Sequence, residues 1–186
     1  MKLRQFRERM QYCGVLESRL RHHPQQVKEE ILDKMGVPLG LHTLGFPLAI
    51  SLLCAVLSFA LPQFWIWSAI YAGFNLPQHA VLVGVFATGL GFAIFNCLTA
   101  FFTGKGYMLA VRAHLTLSAL TLAVSLLFLL AALFSLISGE AIRGVSLSGA
   151  LISVALALGG AAIATSFSFY RMLLYALHNR AWRKLL

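Results

Sequence analysis

Charge is missing over most of this chain's length. No Asp, Glu, Lys or Arg occurs in the 70 residues from Met35 through Gly104, and further uncharged runs lie between Arg112 and Glu140 and between Arg143 and Arg171. A soluble domain of 186 residues has no interior that could hide such runs. An α-helix needs about 20 apolar residues to cross the hydrocarbon core of a bilayer. The expected fold class is therefore an all-α integral membrane protein, a bundle of four transmembrane helices.

Other scarcities narrow the chemistry. Glu140 is the only acid outside the N-terminal segment, so the spans lack the carboxylates of a proton relay or of paired-carboxylate and two-metal catalysis. No G-x-S-x-G elbow or Ser-His-Asp set can be assembled, and a catalytic role is not expected. The three cysteines, Cys13, Cys54 and Cys97, are far apart and form no CxxC pair, which predicts neither a disulfide framework nor a metal site. The first 40 residues contain no apolar h-region, so no cleaved secretory signal is expected. No Asn-x-Ser/Thr sequon occurs, which is compatible with the expected location, a bacterial inner (cytoplasmic) membrane.

What is abundant is apolar. At 59% hydrophobic and 11% charged the chain lies outside the globular range. Prolines divide the long run, because proline lacks an amide hydrogen and disfavours a helical residue before it. Pro62 and Asn75-Leu76-Pro77 supply the breaks, giving predicted spans at 43–61, 79–102, 114–137 and 145–176, the last long enough to tilt or emerge. The flanking parts are a basic helical segment, 1–42, an outer aromatic loop, 62–78, and a basic tail, 179–186, around a transmembrane domain of 43–178.

The net charge of +9 points to topology rather than to nucleic acid, since the basic residues bracket the spans. Lys2, Arg4, Arg7, Arg9, Arg19, Arg21, Lys28 and Lys34 precede the first span. Lys105 and Arg112 join the second and third; Arg171, Arg180, Arg183 and Lys184 close the chain. Of the 15 basic residues only Arg143 falls on the other side, which predicts that both termini are cytoplasmic.

The N-terminal segment reads as two short amphipathic helices. Leu3, Phe6, Met10, Cys13, Leu16 and Leu20 form an apolar stripe bordered by Arg4, Arg7, Arg9 and Arg19, a pattern suited to an anionic leaflet. The second helix starts at Pro24 and stops at Gly36. Residues 1–36 either anchor and orient the first span or dock a cytoplasmic partner. In the outer loop Phe64, Trp67, Tyr71 and Phe74 share one helical face, as in a helix lying at the headgroup boundary; a re-entrant or substrate-contacting segment is the alternative.

Span four carries Gly149, Ser153, Ala157, Ala161 and Thr165 at intervals of four, flanked by Gly159 and Gly160. Small residues on one stripe let another helix approach closely. Gly84-xxx-Thr88 and Ala87-xxx-Gly91 offer a counterpart in span two. The partner is either another span of the same chain or another protomer. Aligned by depth, Ser51, Asn96, Thr121 and Ser168 form a polar layer in the inner half, extended by stripes of His114, Ser118, Thr121 and Ser125, of Asn96, Thr99 and Thr103, and of Thr165, Ser168, Arg171, Tyr175 and His178. Such a layer is either structural glue or the lining of a cavity or pore. The ligand or pore candidates are Asn96, Thr99, Ser118, Thr121, Ser168, Arg171 and Tyr175, with Arg112 and Arg171 at the mouth for an anionic headgroup.

Cofactors are not expected, apart from one minor reading. His114 and His178 on facing helices would be the axial ligands of a b-type haem, although both sit at span ends. His42 and His79 mark the two boundaries, and His22-His23 provides no closed coordination sphere. The leading functional expectation is a non-catalytic membrane subunit that assembles by helix packing with itself or another membrane protein, with the lipid bilayer as solvent and the N-terminal helices as docking element. A homo-oligomeric channel or lipid-binding protein is the alternative, and an electron-transfer subunit the third.

Overall fold

The computed structural model describes residues 2–35, 45–139, 142 and 145–186. The expected helix stop at Gly36, His42, the expected start of the first span at Thr43, Glu140 and Arg143 lie outside the described residues. Among those described, every regular element is helical: α1 (Lys2–Arg19), α2 (Pro24–Met35), α3 (Phe46–Ala60), α4 (Gln63–Gly73), a 3-10 turn (Gln78–Ala80), α5 (Val81–Gly104), α6 (Met108–Ser138), α7 (Leu147–Ala164) and α8 (Phe167–Arg183). Four stretches, Phe46–Gly73, Gln78–Gly104, Met108–Ser138 and Leu147–Ala164, are long and apolar enough to cross a membrane. The chain thus has the helices of a multi-pass integral membrane protein.

The breaks follow from local chemistry. Pro62 separates α3 from α4, and the Gln63 side chain folds back to donate to the Phe59 carbonyl at 3.2 Å. After α4 the chain turns at Asn75, whose φ of 54° is one of the left-handed conformations asparagine tolerates. The α5–α6 turn uses Gly106 at φ 81°, where an added Cβ would lie 2.9 Å from the Ala176 carbonyl oxygen of α8.

Two expected boundaries need correction. The stretch 145–176 is two helices, because Ser166 is an extended N-cap whose Oγ accepts from the Phe169 amide, ending α7 and starting α8. The third apolar helix begins at Met108 rather than His114, which places His114 inside α6 instead of at its end. At 31 residues α6 is about 46 Å long, more than the hydrocarbon thickness requires.

The chain divides into two compact units, the first of residues 1–51, 98–115 and 162–186 and the second of 52–97 and 116–161. In the first, α1 and α2 pack on α8 around Cys13, Leu16, Leu20, Val27, Ile31, Phe169, Leu173 and Leu177, all buried. The α1 stripe expected to meet a lipid leaflet is therefore covered by protein over Cys13, Leu16 and Leu20. In the second, Phe128, Ala132 and Ala150 form a small buried cluster against Trp65, and Phe59 stacks on Phe92 with centroids 3.8 Å apart. Many large apolar side chains remain exposed there, among them Phe86, Leu90, Leu130 and Phe134, as lipid contact demands.

Candidate functional site

Proline at position 62 has a consequence one turn back. It cannot donate to the Ser58 carbonyl, and that oxygen accepts instead from the Ser153 hydroxyl of α7 at 2.9 Å. Ser58 Oγ in turn donates to the Ser153 carbonyl at 2.7 Å, a reciprocal pair joining α3 to α7. Ser125 of α6 donates to the Thr121 carbonyl at 2.8 Å and lies 2.8 Å from both the Ser58 and Ser153 hydroxyls. All three serines are buried. The cluster is satisfied within itself, and its short side chains let three helices meet at backbone distance.

A second network joins α4 to α5. Trp67 Nε1 donates to Thr88 Oγ1 at 3.1 Å, and the Gln63 amide oxygen lies 2.8 Å from the same hydroxyl. Gly84 makes room for the indole, since a Cβ there would fall 2.4 Å from the Trp67 ring. The Gly84-xxx-Thr88 motif therefore works inside the chain, with α4 as its partner. The expected aromatic face of α4 is only partly kept: Phe64 and Phe74 are exposed, whereas Trp67 packs on Gly84 and meets Tyr71 edge to face.

The predicted packing face of α7 is likewise used internally. Ser153 and Ala157 are buried, as are Ala150 and Ala164, while Gly149 and Ala161 are half-buried and Thr165 is exposed. The predicted polar residues divide. Asn96, Thr99, Ser118 and Thr121 are buried. Asn96 donates to the Phe92 carbonyl at 3.1 Å and Thr121 to the Leu117 carbonyl at 2.8 Å, each within its own helix. Ser168 is exposed on α8, and the stripe that was to run from Thr165 to His178 is interrupted by the Ser166 cap; the four-residue layer loses that member. Arg171 and Tyr175 are half-buried on α8.

In the first unit Ser51 Oγ lies 3.0 Å from His114 Nε2, both groups being buried, and Phe169 stacks on the imidazole. Haem ligation through that nitrogen would have to displace Ser51. Burial, with the charge of Lys28, holds the His178 imidazole below its ordinary value against the opposing effect of Asn179. No cluster of three metal-ligating side chains occurs among the described residues.

Sequence reading missed the polar contacts that hold this unit. Arg180 donates to Glu17 at 2.6 Å and to the Gly106 carbonyl at 2.8 Å, with its guanidinium 3.9 Å from the Tyr107 ring centroid. Tyr12 donates to Glu30 at 2.6 Å and Arg19 to the other oxygen at 2.7 Å. The Tyr12 hydrogen bond, then Arg19, holds the Glu30 carboxyl below its usual range; burial and that same bond push the Tyr12 phenol up. Burial also pushes the Cys13 thiol up to about 12. Arg9 lies over the rings of Phe167, 5.0 Å from its centroid, and Tyr170, and lines a cavity of about 510 Å³ with Gln5, Phe6, Thr165, Ser166 and Phe167. No local signal marked these contacts, because they join residues from different helices.

Set against protein-family models, curated proteins and solved structures, the chain matches none.

Proposed function

We propose that the protein is a non-catalytic subunit of a bacterial inner membrane, whose four apolar helices hold a folded basic unit at the cytoplasmic face for a partner to dock on. The observation that carries this reading is the packing of α1 and α2 on α8 around a buried apolar core. A segment that served only to orient the first span would need no core of its own. Three of the unit's five acids are ion-paired internally, Glu8 with Arg4, Glu17 with Arg180 and Glu30 with Arg19, and against the exposed Glu29 and Asp33 stand more numerous exposed cations such as Arg7, Arg21, Lys34 and Lys184. That balance suits an acidic protein surface.

The hydroxyls of the second unit support glue rather than a pore lining, because Ser58, Ser125 and Ser153 satisfy one another. Assembly through α7 loses support for the same reason: Ser153 and Ala157 are already covered. Native mass spectrometry of gently extracted membranes tests the reading. A mixed complex that dissociates in an Arg7→Glu, Arg21→Glu variant is expected. A discrete homo-oligomer, unchanged by those substitutions, would move the function to a self-assembled pore and overturn the docking role.

A further inference from the structure

We propose that the cleft where α1 crosses the α7–α8 corner binds the phosphate of an anionic phospholipid. The site rests on two guanidiniums sharing one ring. Arg9 lies 5.0 Å and Arg171 5.1 Å from the Phe167 centroid, so the two charges are no further apart than the sum of those distances. Among the described residues three ion pairs form, and neither arginine belongs to one. Two like charges held against one ring repel, and an anion in the cavity beside Arg9 would offset that repulsion, with Arg171 on the same ring adding to its attraction.

The cavity next to Arg9 has room for a headgroup, at about 510 Å³. Gln5 and Ser166 add neutral polar groups. The Ser166 hydroxyl already accepts from the Phe169 amide, so the cap of α8 is closed and the site depends on side chains rather than on a helix end. Arginine forks match phosphate oxygens well.

Position favours a lipid over free phosphate. The cleft opens where α7, the last of the four apolar helices, ends at Ala164, and the end of a spanning helix would lie at the depth of the headgroups. One wall is apolar: Phe6, Ala162 and Phe167, the last 51% exposed, give an acyl chain a surface to follow. A free anion would have no use for that wall. The site is independent of whether the first unit docks a partner.

The test is lipid retention measured by native mass spectrometry on the full chain, exchanged into mixed micelles holding equal amounts of phosphatidylglycerol and phosphatidylcholine. The wild type is expected to keep phosphatidylglycerol at least tenfold over phosphatidylcholine, and Arg9→Gln with Arg171→Gln to lose that preference. Arg9→Lys with Arg171→Lys should restore most of it, and Arg21→Gln, outside the cleft, should leave it unchanged. A wild type that holds both lipids equally, or a double Gln variant that keeps the preference, overturns the proposal. Full competition by millimolar inorganic phosphate overturns the lipid assignment in favour of a free anion. The wild-type comparison stands even if the double variant fails to fold.

Discussion

In the first unit, Leu16, Ile31, Phe169, Leu173 and Leu177 are buried together and bordered by ion pairs from Arg180 and Arg19. In the second, a smaller aromatic cluster around Phe128 is joined by contacts of Ser58 with Ser125 and Ser153, of Thr88 with Trp67, and of small residues such as Gly84, Ala150 and Ala157, while many large apolar side chains point outward. On the proposed reading, which puts the first unit in water and the second in lipid, the contrast is that of two solvents. Water drives large apolar groups together, as in the first unit. Lipid tails are as apolar as leucine, so helices in lipid gain by close backbone approach and by hydrogen bonds.

Truncations of both kinds should separate the two regimes. The largest effect is expected from Leu173→Ala or Ile31→Ala, each costing about 2–5 kcal/mol by loss of a fully buried side chain. Cys13 supplies the readout: its thiol is buried, so in a chain lacking Cys54 and Cys97 maleimide labels it only when the first unit opens. Labelling as fast in the variants as in their parent would contradict the water-type core. Arg180→Ala should come next, at about 3 kcal/mol, because it leaves the Glu17 carboxylate and the Gly106 carbonyl without their partner in a partly buried place.

Gly84→Leu tests the second regime directly. The added side chain would occupy the Trp67 ring position, and a loss of about 2–3 kcal/mol is expected, read as a lower melting temperature in lipid nanodiscs together with a red shift of tryptophan emission. Ser153→Ala should cost only about 1 kcal/mol, the usual size of an interhelical hydrogen bond in lipid. Should Ser153→Ala prove more damaging than Leu173→Ala, the two-solvent account fails. The smallest effect concerns pH. His178 has its pKa lowered in the fold, so its contribution is complete above the unfolded value near 6.5 and is lost as pH falls through the lowered one. Cys13 labelling should therefore accelerate from pH 7 towards pH 5 once corrected for thiolate fraction, and His178→Gln should flatten that profile.

Several of these features were legible residue by residue. Pro62 announced the α3–α4 break and Pro24 the start of α2, since both act through their own backbone. The stop at residue 164 was legible in principle: Ser166 three residues before Phe169 is a cap signal, overridden in reading by the continuous hydropathy around it. The covering of α1 by α2 and α8 was not, because an apolar stripe looks the same whether lipid or protein will meet it.

From the residues alone came the four apolar helices and the places where backbone chemistry interrupts them, because hydropathy and proline act within a few positions. Which polar groups meet was decided only by the tertiary structure. Ser58 and Ser153 stand 95 positions apart, and Arg180 and Glu17 163 apart. Ser153 stands on the small-residue stripe and Ser58 one turn before Pro62, but nothing local pairs them or marks that arginine; the packing of helices brings the partners together, and each bond then holds the packing that made it.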